Sequence, residues 1–266
     1  MIPSIPLLHH EINPYTIMTI FAVLSSGIYG CIVAYKKKED FIDLIVFVLF
    51  CYIGVFIGGQ LLYAIININD VIRVISNFGL IVSVAGVPYA LSRIFGGIVF
   101  YGGLIGGIFT GFILVKRNRK YSVHVDIVAA CIPLFHFFGR IGCFLGGCCY
   151  GIESSFGFTY RYSLIESANG VNRFPVQLLE ALFNITLFFV LDRLRRLGMF
   201  KNRILLVYLV CYAVARFFLE FLRGDSYRGF FLGLSTSQII SILILCFVFG
   251  FILKTRYSGK KSFQNS

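Results

Sequence analysis

The sequence predicts an all-α, polytopic integral membrane protein with seven transmembrane helices, its N-terminus outside and its C-terminus in the cytoplasm. Three observations predict it. Apolar runs approaching or exceeding the roughly 20 residues a helix needs to cross a bilayer recur along the chain. Short clusters of lysine and arginine occupy every second connection between those runs. An arginine, Arg140, stands inside apolar sequence with no soluble loop around it.

Composition excludes a soluble fold. Of the 266 residues, 58% are hydrophobic and only 14% are charged, more apolar surface than a soluble domain can hide. The first run, Thr16 to Tyr35, has no basic leader before it and no small-x-small cleavage pattern ahead of its lysines, so it reads as a span and not a cleaved signal. The others are Phe41 to Ile66, Ile94 to Val115, Val123 to Leu145, Pro175 to Leu191, Ile204 to Leu222 and Leu234 to Leu253. The stretch Gly79 to Ser92 is too short to span and is interrupted by Gly86 and Pro88; a re-entrant or interfacial piece on the outer side is expected there. No repeat or linker divides the chain, which predicts a single domain over residues 1–266.

The net charge of +12 is not spread as a polyanion-binding surface. Basic residues cluster at Lys36 to Lys38, Lys116 to Lys120, Arg193 to Arg203 and Lys254 to Lys261. The remaining connections hold only Arg73, then Arg161 and Arg173, then Arg223 and Arg228. Cytoplasmic loops carry the excess of Lys and Arg, so the alternation sets the orientation and removes the need for a nucleic-acid partner.

With that topology, polar residues from four spans meet in the outer half of the membrane. Arg140 and His136 come late in one outward-running helix, and Arg216, Glu220 and Arg223 late in another. Gln177 and Glu180 come early in an inward-running helix, as do Tyr101, Gly102 and Gly103. Arg216, Glu220 and Arg223 stand at i, i+4 and i+7, which puts them on one helix face. Glu180 and Glu220 are natural counter-ions for Arg140 and Arg216. Charge at this depth is expensive and marks function or a helix-helix clamp. Glycines crowd the same level: Gly102, Gly103, Gly106 and Gly107 on one helix, Gly139, Gly142, Gly146, Gly147 and Gly151 on another. They let helices approach closely or let a bulky ligand reach the backbone, and both uses are open. Fixed guanidiniums within apolar walls suit an anionic lipid headgroup, because Arg bonds phosphate in bidentate fashion and keeps its charge.

Of the eight cysteines, Cys31, Cys51, Cys131, Cys211 and Cys246 read as small apolar residues. Cys143, Cys148 and Cys149 form a cluster whose spacing matches neither a zinc site nor a C-x-x-C motif, so no metal is expected there. A disulfide and plain packing both remain open.

Five blocks in order, FYGGLIGG (Phe100 to Gly107), GRIGCFLGGCCYG (Gly139 to Gly151), RFPVQLLEAL (Arg173 to Leu182), RFFLEFLRGD (Arg216 to Asp225) and GLSTSQIIS (Gly233 to Ser241), resemble the prolipoprotein diacylglyceryl transferase family, Lgt. The resemblance implies a bacterial cytoplasmic-membrane enzyme with seven spans and no cofactor. It would move the diacylglyceryl group of phosphatidylglycerol to the lipobox cysteine of a preprolipoprotein, releasing glycerol phosphate. Carried over, it makes Arg140 and Arg216 headgroup arginines, Glu220 their supporting acid, Glu180 the acid of the PxQLxE block and Gly151 the close of the signature. Gly102, Gly103 and Arg223 join the substrate-binding set. Tyr101 stands where the family usually has histidine, Cys143 where it has asparagine, Cys148 where it has glutamate and Gln60 where it has arginine. The thiol must lose a proton to react, and Tyr101 and His136 are the groups placed to take it. Two rivals stand beside this reading. One is a divergent paralogue with another acceptor or with lipid binding alone; the other is a membrane thiol oxidoreductase using Cys143, Cys148 and Cys149.

Overall fold

The computed structural model describes residues 5–7, 10–76, 99–163, 165–225, 230–231 and 233–264. Helices dominate it: α1 Pro14–Lys36, α2 Phe41–Ile66, α3 Ile68–Ser76, α4 Phe100–Arg117, α5 Ser122–Gly146, α6 Val176–Arg196, α7 Ile204–Leu219 and α8 Thr236–Gln264. Five described helical segments are long and apolar enough to cross a membrane, at Pro14–Lys36, Phe41–Ile66, Arg119–Gly146, Ile204–Leu222 and Thr236–Thr255. The protein is a polytopic membrane protein. The stretch expected as a re-entrant piece, Gly79 to Ser92, and the first residues expected in the third span lie outside the described residues.

The all-α expectation needs one correction. Among the described residues, three two-stranded antiparallel ladders accompany the helices: β1 Ile5–Leu7 with β2 His10–Ile12, β3 Glu153–Thr159 with β4 Asn172–Arg173, and β5 Phe230–Phe231 with β6 Leu234–Ser235. Periodicity could not find them: five of these six strands run only two or three residues and carry no alternation to read, and the seven residues of β3 bury no alternate face. A second correction concerns Arg223. Helix α7 ends at Leu219 and a 3-10 turn takes Glu220–Leu222, so Arg223 leaves the helix face that Arg216 and Glu220 share.

Contacts divide the chain into two compact units, residues 33–125 and residues 1–32 with 126–266. In the first, α2 and α4 pack through glycines at four-residue spacing. A Cβ on Gly54 would lie 2.6 Å from the Gly106 carbonyl oxygen, and one on Gly58 would lie 2.2 Å from that of Gly102. Close approach of this kind is the usual work of small residues in membrane helices. It assigns Gly102 and Gly106 to packing against α2. Lys120 closes the other end of the pair, its Nζ 2.9 Å from both carboxylate oxygens of Asp43.

In the second unit, Ala129, Ala130, Leu187, Leu191, Ile204, Tyr208, Leu209 and Val248 bring α5, α6, α7 and α8 onto one core. Tyr29 of α1 meets the Phe188 ring edge-on at 4.9 Å. The α6–α7 connection is tied down by Asp126, which accepts from the backbone N–H groups of Asn202 at 2.6 Å and Ile204 at 3.2 Å. Outward-facing Phe189, Phe218, Leu243 and Phe247 remain largely exposed, as a lipid-facing surface requires. Helix α8 opens on a capping box: Ser235 Oγ accepts from the Gln238 N–H, and Gln238 Oε1 accepts from the Ser235 N–H.

The glycine pair gives a direct prediction. Gly54→Leu should lower the amount and melting temperature of detergent-purified protein sharply, whereas Gly27→Ala, where a new Cβ meets nothing within 4 Å, should leave both unchanged. Equal behaviour of the two variants would refute tight α2–α4 packing.

Candidate active site

Charges gather where α5, α6 and α7 approach one another. Arg140 lies in the last two turns of α5, Glu180 in the second turn of α6 and Arg216 in the last turn of α7. Glu180 is shared: its Oε2 lies 2.5 Å from Arg140 Nε and its Oε1 2.8 Å from Arg216 Nη1. Arg216 Nη2 then reaches Glu220 Oε2 at 2.7 Å and donates to Ser237 Oγ at 3.2 Å. Glu180 and Glu220 are buried, while the Arg140 side chain keeps 20% of its surface exposed. Arg140 spends Nε on Glu180, and its two Nη groups meet no acceptor among the described residues. Two charges of each sign make the set neutral as it stands, and the Nη pair, with no acceptor among the described residues, gives it a face suited to an anion.

Aromatic rings line the same α5–α7 seam. His136 Nδ1 lies 3.3 Å from Tyr208 Oη, and its ring centroid is 5.3 Å from that of Tyr212. Tyr208, Tyr212 and Arg216 form one stripe on α7 at i, i+4 and i+8. That spacing was open to inspection in the sequence but was absorbed into an apolar span. Ser237 was likewise missed, its only signal being its place in the GLSTSQIIS block.

The connections above the helices hold the site's frame. Gln177 Nε2 donates to the Cys148 carbonyl at 2.8 Å and to Tyr160 Oη at 3.1 Å, and burial pushes the Tyr160 phenol up to about 12. Gly151 threads between two other backbones. A Cβ there would fall 2.2 Å from the Phe174 carbonyl oxygen, and one on Gly224 2.4 Å from that of Gly151. The Ile152 N–H donates to Leu222 and the Phe174 N–H to Ile152. Gly151 is thus placed by a backbone crossing. Arg223 turns to Asp225, with Nη2 2.6 Å and Nε 3.0 Å from its carboxylate oxygens.

Tyr101, Gly102 and Gly103 belong to the other unit; the Tyr101 backbone lies in the first turn of α4, and its side chain lies outside the described residues. Cys143, Cys148 and Cys149 come together, all three Sγ atoms lying within 4.8 Å of one another. Hydrogen bonds from Cys143 and Cys148 hold the Cys149 thiol well below the usual thiol range, and Arg223 and Arg140 act in the same direction.

A family model described as prolipoprotein diacylglyceryl transferase matches residues 4–254. The chain belongs to that family. A phosphatidylglycerol–prolipoprotein diacylglyceryl transferase of Clostridium tetani is 33% identical over 241 residues, covering 86% of this chain and 90% of the relative. A Clostridium perfringens protein with that name and the suffix 2 is 37% identical over 194 residues, covering 71% and 70%. One from Campylobacter hominis is 30% identical over 269 residues, covering 96% and 92%. The family is one of diacylglyceryl transferases of bacterial membranes.

Because Glu180 compensates two guanidiniums at once, Glu180→Ala should cost about 3–5 kcal/mol of stability, the usual loss when one partner of a buried ion pair is removed. Thermal or denaturant unfolding in detergent reads this. Glu153→Ala, which removes a carboxylate 4.0 Å from Arg173 and 73% exposed, should change stability little.

Proposed function

We propose that this chain transfers the diacylglyceryl group of phosphatidylglycerol to the lipobox cysteine thiol of preprolipoproteins, in the bacterial cytoplasmic membrane. The observation that carries this reading is the Arg140–Glu180–Arg216–Glu220 set, held between apolar helices with the Arg140 Nη groups meeting no acceptor among the described residues. Family membership and the names of the relatives support the same activity.

In this mechanism Arg140 and Arg216 bind the phosphodiester, with Glu180 and Glu220 fixing the guanidinium planes. The peptide thiol gives its proton to a base, and its sulfur attacks the glyceryl carbon bonded to the phosphate oxygen. The carbon–sulfur bond forms as the carbon–oxygen bond breaks, and glycerol phosphate departs with the electron pair. Charge grows on the phosphate during this step, so the guanidiniums hold the transition state more tightly than the ground state. His136 is the proposed base within the α5–α7 seam, with Tyr101 as the other candidate. Gly151 and Arg223 would shape the surroundings of the substrates.

We further propose that α4 and α6 complete seven spans with the N-terminus outside. Their lengths of 18 and 21 residues suit spans, and the polar groups of α6 face the protein interior, where Gln177, Glu180, Asn184 and Asp192 are buried. The basic stretches sit at the opposite ends of α5, α6 and α7 from the Arg/Glu set, which supports an outer-leaflet site. The two units would work as one domain, since the family match runs through both.

Transfer from labelled phosphatidylglycerol to a lipobox peptide tests the reading. Arg140→Ala and Arg216→Ala should each lower the rate by about 100-fold or more at matched amounts of folded protein. Full activity in both variants would remove the headgroup assignment.

A further inference from the structure

The cysteine cluster is made by the way α5 ends. Gly147 takes a left-handed conformation, φ +74°, directly after the helix. The Cys148 N–H then folds back to the Cys143 carbonyl at 3.1 Å. This is the six-to-one bond of a Schellman cap, which brings the second residue past the helix over the residue three positions inside its end. Cysteine occupies both of those positions here. Cys149 follows with φ 55°, a left-handed conformation that a β-carbon disfavours, and its sulfur joins the other two. The Cys148 carbonyl is held by Gln177 at 2.8 Å, so the turn carrying two of the thiols is anchored to α6.

We propose that Cys143, Cys148 and Cys149 form a three-thiolate site for one thiophilic d10 cation, Cu(I) or Zn(II), at the C-terminal end of α5. Three sulfurs within 4.8 Å of one another need to close only slightly: sulfurs sharing one zinc at bonds of about 2.3 Å stand about 3.8 Å apart. Thiolate sulfur selects these ions over hard cations. Cu(I) is satisfied by three thiolates in a plane, whereas Zn(II) takes a fourth ligand, which the partly exposed Cys148 and Cys149 leave room for water to supply. Three thiolates leave a net negative charge around either ion, and the Arg140 and Arg223 guanidiniums that act on Cys149 offset it. A disulfide would use two of the sulfurs and strand the third. The site borders the Arg140–Glu180–Arg216 set at Arg140, but none of its three ligands belongs to that set, and it stands whether or not the transferase reading holds.

The test uses the full chain in detergent, reduced and freed of metal, titrated separately with Cu(I) and Zn(II) against chromophoric competitors. One equivalent of metal should bind, and metal should protect Cys143, Cys148 and Cys149 from alkylation when the wild-type chain is mapped by mass spectrometry. Cys148→Ser and Cys149→Ser should each weaken binding at least tenfold, while Cys31→Ser and Cys246→Ser should not. The metal carried by the chain as isolated from cells, not the tighter of the two ions, identifies the natural occupant. No saturable binding by the reduced wild-type chain, protection of other cysteines instead, or isolation from cells with two of the three joined as a disulfide would each overturn the site. The protection experiment needs no variant, so a serine substitution that fails to fold leaves the proposal open to refutation.

Discussion

Glu180 is the carboxylate on which the arrangement of the helices turns. A buried carboxylate is tolerated only when its charge is compensated and its oxygens are bonded. Each Glu180 oxygen here faces a different guanidinium, one from α5 and one from α7. The rotation and depth of three helices are therefore tied to one side chain. Apolar packing through Ala130, Leu187 and Tyr208 could tolerate a small slide or roll of a helix; a two-sided ion pair could not. The same constraint spends only Nε of Arg140, whose Nη groups meet no acceptor among the described residues.

Above the helices, order comes from backbone and not from side-chain volume. Residues 150–152 cross between 174 and 222–224, with hydrogen bonds on both sides and glycines wherever a β-carbon would meet a carbonyl. Gln177, one turn before Glu180, bonds the turn that follows α5. The loop frame and the charge set are thus joined through consecutive turns of α6. That explains why a helix so rich in polar residues sits inside an otherwise apolar protein: it serves the loops and the charge set together.

The cysteines show what a spacing rule leaves out. C-x-x-C and zinc-finger spacings are read on the assumption that a turn or hairpin brings the ligands together. Cys143 and Cys148 are instead brought together by a helix cap, whose signal is the glycine between them. Read that way, GCFLGGCC contains the cap, but nothing in the string says that Cys149 turns back to the other two.

Sequence alone determined the membrane class, the positions of five apolar spans and the pairing of Glu180 and Glu220 with arginines, because hydropathy and charge spacing are local properties that no tertiary contact reverses. The resemblance blocks placed the chain in its family for the same reason. Tertiary structure decided the rest. It showed that Glu180 serves both arginines while Arg223 turns to Asp225, because the end of α7 at Leu219 is set by the crossing at Gly151 and Gly224 and not by the propensity of RFFLEFLR. It gave Gly102 to packing against α2, a use that requires knowing which helix lies opposite. It added short two-stranded ladders, which arise from where the loops are held rather than from any pattern within them. Those outcomes depend on partners distant in sequence, and a string of residues does not state which distant segments meet.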